Sequence, residues 1–278
     1  MNQFLKKVLD FYVYSSIHIS LCAMGMTWYS YKLFDLSVNL NYVLFIGSST
    51  WLLYSIHRII GIERVGAYIG KGRFAIIRSH KTHIYFYAFI AVCMSSYFFF
   101  SLDENVIYSM LIPALISLFY VSPLFPGKKR LRDLSWTKIL MIAVCWSWLT
   151  TFIPGQSTGD GLIWGTARFF FLFGITVPFD LRDKDVDAHA EVKTIAHYAS
   201  ANVLSAVAMI SLVISLCLPI FVLSLPPQVI MSEVIVHIVT IGMVAYTIKE
   251  RHDYAYSLLL DGSMGAFYIV YILIGFLK

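Results

Sequence analysis

Apolar residues along this chain come in long, nearly unbroken runs. Nine such runs, near 11–34, 39–61, 83–101, 105–124, 137–153, 161–180, 202–224, 229–247 and 255–276, are separated by short polar breaks. Leu, Ile, Phe and Val dominate them, with no sustained alternation of apolar and polar positions. A bilayer core of about 30 Å takes roughly 20 apolar residues in helical form. Lipid offers the backbone no hydrogen-bond partner, so only helices or a closed barrel can span it, and barrel strands would alternate. The pattern predicts an all-α polytopic membrane bundle of about nine transmembrane helices. Pro123, Pro126, Gly127, Pro154, Gly155, Pro226 and Pro227 mark breaks. With no repeat of 20–50 residues and no low-complexity stretch, 1–278 reads as a single integral-membrane domain.

Composition strengthens this reading: 59% of residues are hydrophobic and only 13% charged, well outside the soluble average. Residues 11–34 lack a short apolar core followed by a small-residue cleavage site, so they read as a first span and not as a secretion signal. Cytoplasmic loops of membrane proteins carry the excess of Lys and Arg. With the N-terminus inside, all of the 21 basic residues except Lys32, Arg168 and Lys278 fall in inside segments. The +5 net charge is therefore a topology signal, and nothing resembles a nucleic-acid-binding module. Cys22, Cys93, Cys145 and Cys217 lie inside separate runs and form neither a disulfide framework nor a metal motif.

The sixth run leads directly into DLRDKDVD, residues 180 to 187, in a chain otherwise poor in charge. At 100° per residue, Asp180, Asp183 and Asp187 share one helical face, while Asp185 points nearly the other way. Carboxylates gathered at a membrane boundary repel one another and need a cation. Mg²⁺ is commonly held by one or two carboxylates together with substrate phosphates. The competing reading is a solvated helix end in which Arg182 and Lys184 compensate the aspartates. Pro178, just before the cluster, removes one backbone hydrogen bond and can kink the helix so that its acidic face turns into a cavity.

The segment PFDLRDKDVDAHAEVKT resembles the second aspartate-rich motif of the UbiA family of intramembrane prenyltransferases, D-x-x-D-x-x-x-D with a short G-I-K-T-like tail. Asp180, Asp183 and Asp187 match its acidic positions, and Val192, Lys193 and Thr194 match the tail. FYVSPLFPGKKRLRDLSWTKIL is similar to the family's Y-S-P stretch and basic loop through Tyr120, Ser122, Pro123, Lys128 to Arg130 and Lys138. The resemblance implies nine helices with catalytic loops on the cytoplasmic side. It further implies transfer of an isoprenoid chain from a prenyl diphosphate to a lipophilic acceptor, with Asp180, Asp183 and Asp187 as catalytic Mg²⁺ ligands. In such chemistry, positive groups stabilise the departing pyrophosphate, and the allylic cation is attacked in a water-poor cavity.

The family's first motif, N-x-x-x-D-x-x-x-D at the end of span two, is not kept. That place reads LLYSIHRIIGIER, and anchoring on Arg58 puts Leu53, His57 and Gly61 at the Asn and Asp positions. Arg58, Arg64, Lys71, Arg73 or Lys81 would then supply positive charge to phosphate oxygens directly. Tyr54, His57 and Arg58 stand at i, i+3 and i+4 on one face, continued by Gly61, and would look across the cavity at the aspartates. With Tyr120, Lys128 and Lys193, they complete the expected substrate-binding set. The degraded motif keeps a second function class open: a non-catalytic relative that binds an isoprenoid or other lipid, or that serves as an assembly partner.

Outside these motifs, His80, Lys81 and His83 suit headgroup contact better than a two-His metal site, since no third ligand is near. KKRLR, at 128–132, reads first as positive-inside anchoring. Asp261 lies within the last run beside Gly262 and Gly265, which suits either a structural aspartate at a close helix contact or a group that positions an acceptor. Glu233, His237, His18 and Arg168 are expected to form internal pairs.

Overall fold

A computed structural model describes residues 2–62, 72–122, 130–131, 137–189, 192–249 and 252–277. The regular structure of the described residues is entirely helical. In chain order the α-helices are α1 (Gln3–Tyr14), α2 (Ile17–Leu33), α3 (Leu40–Ile62), α4 (Gly72–Ser79), α5 (Lys81–Phe99) and α6 (Glu104–Val121). There follow α7 (Thr137–Ser147), α8 (Ile153–Gly155), α9 (Gly161–His189), α10 (Ala201–Val222), α11 (Pro227–Tyr246) and α12 (Asp261–Phe276). Two π-helical turns, Trp148–Phe152 and Ala255–Leu260, join α7 to α8 and lead into α12.

Seven helical segments are individually long and apolar enough to cross a membrane, and the bent pair α1 and α2 makes an eighth if taken as one span. The fourth run of the sequence corresponds to Glu104–Tyr120, a shorter apolar helix with Pro113 inside it. Its expected end near 124 falls outside the described residues. The first span differs from the expected 11–34. Ser16 adopts a left-handed φ of 68°, and the chain bends by 57° between α1 and α2. The bend is held from α3, where the Trp51 indole N–H donates to the Ser15 carbonyl at 2.8 Å.

Large apolar side chains cover the outside: Phe86, Phe89, Tyr97, Phe221 and Ile238 are all exposed. A surface of this kind is stable facing lipid and not water. Many hydroxyls within the spans are satisfied by their own helices. Thr27, Ser30, Ser48, Ser95, Thr176 and Thr240 each donate to the carbonyl four residues back, the economical solution where no water is present. The four cysteines are free thiols.

The core is built on α9, which packs against α7 and α10, while α2 packs on α12 and α3 on α5. Tyr29, Phe171, Leu212, Tyr256 and Phe267 fill it without exposure. Small residues set the closest approaches. A Cβ on Gly25 of α2 would stand 3.3 Å from the Cα of Gly265 on α12, which identifies the close helix contact suggested by the glycines around Asp261. A Cβ on Gly174 of α9 would stand 2.9 Å from the Ala208 carbonyl oxygen of α10. Gly174 also lies four residues before Pro178, where the proline ring crowds the preceding turn of its helix.

Candidate functional site

The end of α9 beyond Pro178 carries the aspartates on one buried or half-buried face, whereas Asp185 is exposed, as the 100° rotation requires. Asp180 is 1% exposed and lies behind the cavity wall; Asp183 and Asp187 line the cavity itself. Facing them is Lys138, in the first turn of α7. Its Nζ lies 2.8 Å from Asp180 Oδ1 and donates a hydrogen bond of 2.8 Å to Asp187 Oδ2.

Asp183 is held by two guanidinium groups. Arg182 donates through Nε and Nη2 at 2.8 and 3.1 Å to its two oxygens, the bidentate fork that gives a strong and oriented pair. Arg73, from α4, donates through Nη2 at 2.7 Å and reaches Asp253 with Nη1 at 3.3 Å. The Arg182 guanidinium also lies 5.0 Å from the centres of the Phe179 and Tyr256 rings, a cation–π geometry that fixes its plane.

Across from α9, α3 presents Tyr54, His57, Arg58 and Gly61 to the same cavity, on the face expected from their spacing. Arg58 is anchored through Nη2, which donates at 3.1 Å to the Val13 carbonyl at the end of α1, where the Ser16 amide also donates at 3.3 Å. Its other terminal nitrogen, Nη1, is buried without a hydrogen-bond partner among the described residues; Nη1 of Arg182 makes no hydrogen bond either but stands 3.7 Å from Asp253 Oδ1. A buried donor left unpaired costs free energy that an incoming acceptor would recover. Tyr254 ties α1 to this end of the molecule by donating to Asp10, and burial followed by that hydrogen bond push its hydroxyl well above the ordinary tyrosine value.

The cavity has a volume of about 350 Å³. Its charged end is formed by Arg58, Arg73, Arg130, Lys138, Arg182 and the two aspartates, and its remaining walls by apolar groups such as Leu53, Ile77, Met141, Leu172, Phe179 and Met264. Tyr54 and Trp146 meet edge to face at 6.4 Å on that wall. Tyr120 lines it as well, and so do Ser257 of the second π-helical turn and Asp261 immediately after it. A π-helical turn shifts the register of the residues that follow, a device often found where side chains are aimed at a site.

Of the expected residues, Asp183, Asp187, Tyr54, His57, Arg58 and Tyr120 converge on this cavity, with Asp180 just behind. Lys193 is exposed and does not line it. The neighbouring tail residues have structural partners: the Val192 amide donates to the Asp187 carbonyl at 2.8 Å, and Thr194 caps the turn Ile195–His197. Arg64, Lys71 and Lys128 lie outside the described residues. Lys138, Arg182 and Asp253 are central here although the sequence marked the first two only as a loop cation and a charge between aspartates, and the third not at all. His80 and His83 stand exposed at the start of α5, away from the cavity.

A divalent ion is a poor fit to this arrangement. Among the described residues no three His, Cys, Asp or Glu side chains come together to hold a metal. Each motif carboxylate is instead engaged by an ammonium or guanidinium group of the chain itself.

The architecture is thus a multi-pass helical bundle enclosing an apolar cavity capped by charge. Its fold is the UbiA fold. A UbiA homolog from Archaeoglobus fulgidus bound to GPP and Mg²⁺ superposes with a TM-score of 0.62 at 14% identity, covering 96% of this chain and 98% of the other. The same homolog bound to DMAPP and Mg²⁺ gives 0.62 at 13%, covering 95% and 98%. A digeranylgeranylglyceryl phosphate synthase gives 0.56 at 14%, covering 96% and 98%. No family model and no curated protein matches the chain by sequence.

Proposed function

We propose that this protein is a UbiA-type intramembrane prenyltransferase that takes a prenyl diphosphate donor and a lipophilic acceptor from the bilayer. The observation that carries the reading is the joining, in one cavity, of an apolar wall and a buried guanidinium cluster in which Arg58 Nη1 has no hydrogen-bond partner among the described residues. Prenyl chain and diphosphate need those two environments side by side. The structural neighbours that hold GPP or DMAPP make the same ligand class the natural one to test.

In this reading Arg58, Arg73 and Arg182 receive the diphosphate, and Asp183 keeps the last two oriented. The bond from the allylic carbon to the diphosphate oxygen breaks with its electron pair leaving on the diphosphate, where guanidinium donors stabilise the growing charge. The rings of Tyr54, Trp146 and Phe179 face the allylic cation. The acceptor attacks that carbon and gives up a proton, for which Asp261 is the cavity-lining carboxylate outside the aspartate motif. Mg²⁺, expected from the sequence resemblance, is left out of this reading because the motif carboxylates are paired with Lys138, Arg73 and Arg182. The basic loops orient the N-terminus and the charged end toward the cytoplasm.

A second reading is favoured by one observation. His57 and Gly61 occupy the acidic positions of the first motif and Leu53 its Asn position, so the cavity would hold an isoprenoid diphosphate without transferring it. Incubation of purified protein with labelled geranyl diphosphate and a lipid extract from the producing cells separates the two. Labelled lipid together with released pyrophosphate, both lost in Asp183→Asn, is the expected result. Ligand binding with no pyrophosphate release under any acceptor would abandon transfer for the binding function.

A further inference from the structure

The second-motif aspartates point to a property that the fold does not imply. Asp180 and Asp187 are two helical turns apart on α9, yet both side chains converge on one cation, Lys138 Nζ, at 2.8 Å each. All three residues are buried, at 1%, 8% and 7% exposure. A cation between two carboxylate groups is what a divalent ion would provide, and here a side chain provides it. Lys138 sits in the first turn of α7, where the helix macrodipole disfavours positive charge, so its place is explained by the two aspartates and not by its own helix. Removing it would leave two carboxylates facing one another in a buried position, an arrangement that strongly favours uptake of a cation or a proton.

We infer that Lys138 is a built-in counter-ion standing where a divalent metal would bridge Asp180 and Asp187, and that the cavity therefore takes its anionic ligand without a divalent metal. The ligand's oxygens are received by the guanidinium groups; Arg58 Nη1 forms no hydrogen bond among the described residues, and Arg182 Nη1 forms none either, standing 3.7 Å from Asp253 Oδ1. The part concerning the ligand rests on the prenyl diphosphate reading; the part concerning Lys138 does not.

The test uses detergent-purified full-length protein in two measurements. In the first, thermal unfolding is followed with geranyl diphosphate in EDTA or in excess Mg²⁺. The wild type is expected to gain the same midpoint shift in both buffers, and a shift that disappears in EDTA would overturn metal-independent binding. In the second, Mn²⁺ binding is measured by its electron paramagnetic resonance signal without any isoprenoid, on wild type, Lys138→Met and Lys138→Arg. Lys138→Met is expected to bind Mn²⁺ at least about tenfold more tightly than wild type, and Lys138→Arg no more tightly. Equal Mn²⁺ affinity in wild type and Lys138→Met, or tight Mn²⁺ binding by the wild type alone, would overturn the counter-ion role. Should Lys138→Met not fold, the wild-type and Lys138→Arg measurements still decide, since tight Mn²⁺ binding by either contradicts the inference. A wild type that geranyl diphosphate stabilises in neither buffer overturns the ligand half and the prenyl diphosphate reading, while the Mn²⁺ result on Lys138 stands by itself.

Discussion

Two ionic clusters on α9 differ in what surrounds them. Near the start of the helix, Arg168 pairs with Glu233 of α11 through Nη1 at 3.2 Å and Nη2 at 2.5 Å, with no exposure on either residue. Tyr29 adds a hydrogen bond of 3.0 Å to the same carboxylate, and the Phe267 ring lies 3.9 Å from the guanidinium carbon. His237 closes the group, bonded to the Glu233 carbonyl at 2.8 Å and to Ser215 at 3.0 Å. Neither Arg168 nor Glu233 lines the cavity. At the far end of the helix, the aspartate cluster has more close ion pairs, from Lys138 to Asp180 and Asp187 and from Arg73 and Arg182 to Asp183, and it borders the cavity. Charge inside a membrane protein therefore does not by itself mark a site, nor does a donor without a partner, since Arg168 Nε has none among the described residues either; charge with an adjoining cavity does.

The largest effect expected from this comparison is on stability at the closed cluster. Glu233→Leu strands the Arg168 charge in the core and should cost roughly 3–5 kcal/mol, seen as a sharply lower unfolding midpoint in detergent. Pairing it with Arg168→Met should recover most of the loss, and a double variant no better than the single one would contradict the account of a mutually dependent pair.

The cavity cluster should answer in the opposite way. Arg58→Gln removes the charge of a side chain that lines the cavity while keeping an amide donor, so the unfolding midpoint should change little. Geranyl diphosphate affinity should fall by about 1.5–3 kcal/mol, the size of a lost charge-assisted hydrogen bond. An unchanged affinity, measured by titration of the thermal shift, would remove Arg58 from the site.

Between the clusters, Gly174→Ala sharpens the comparison by disturbing the helix that carries both. Its Cβ meets the Ala208 carbonyl, so a loss of about 1 kcal/mol in stability is expected from overpacking. Ligand affinity should follow only as far as α9 shifts relative to α3. The smallest effect belongs to His80→Ala with His83→Ala. These exposed side chains lie away from the cavity, and neither stability nor ligand affinity should move measurably.

Much of this was legible in the sequence because it depends on local periodicity. The long apolar runs announced a helical membrane bundle, and rotation by 100° per residue set Asp180, Asp183 and Asp187 on one face and Tyr54, His57, Arg58 and Gly61 on another. What remained hidden depends on partners distant in the chain. Lys138 stands 49 residues from Asp187 and 42 from Asp180, and Arg73 stands 110 from Asp183. No local signal announces that these will meet. The break at Ser16 was equally hidden, since it is pinned by Trp51 and leaves the apolar run uninterrupted. Lys193 shows the reverse case: a motif match put it in the site, while the local turn that caps at Thr194 leaves it at the surface.

The central claim is that the cavity between α3 and α9 binds a prenyl diphosphate through its guanidinium cluster. The most direct measurement is a thermal-shift titration of wild type and Arg58→Gln with geranyl diphosphate, with the Archaeoglobus fulgidus UbiA homolog run in parallel. A ligand that binds only the folded state raises stability by mass action, about 2.7 kcal/mol at a hundred times its dissociation constant. A concentration-dependent rise in the wild-type midpoint, moved to higher ligand concentration in Arg58→Gln, is the predicted result. No rise at concentrations that stabilise the homolog would contradict it.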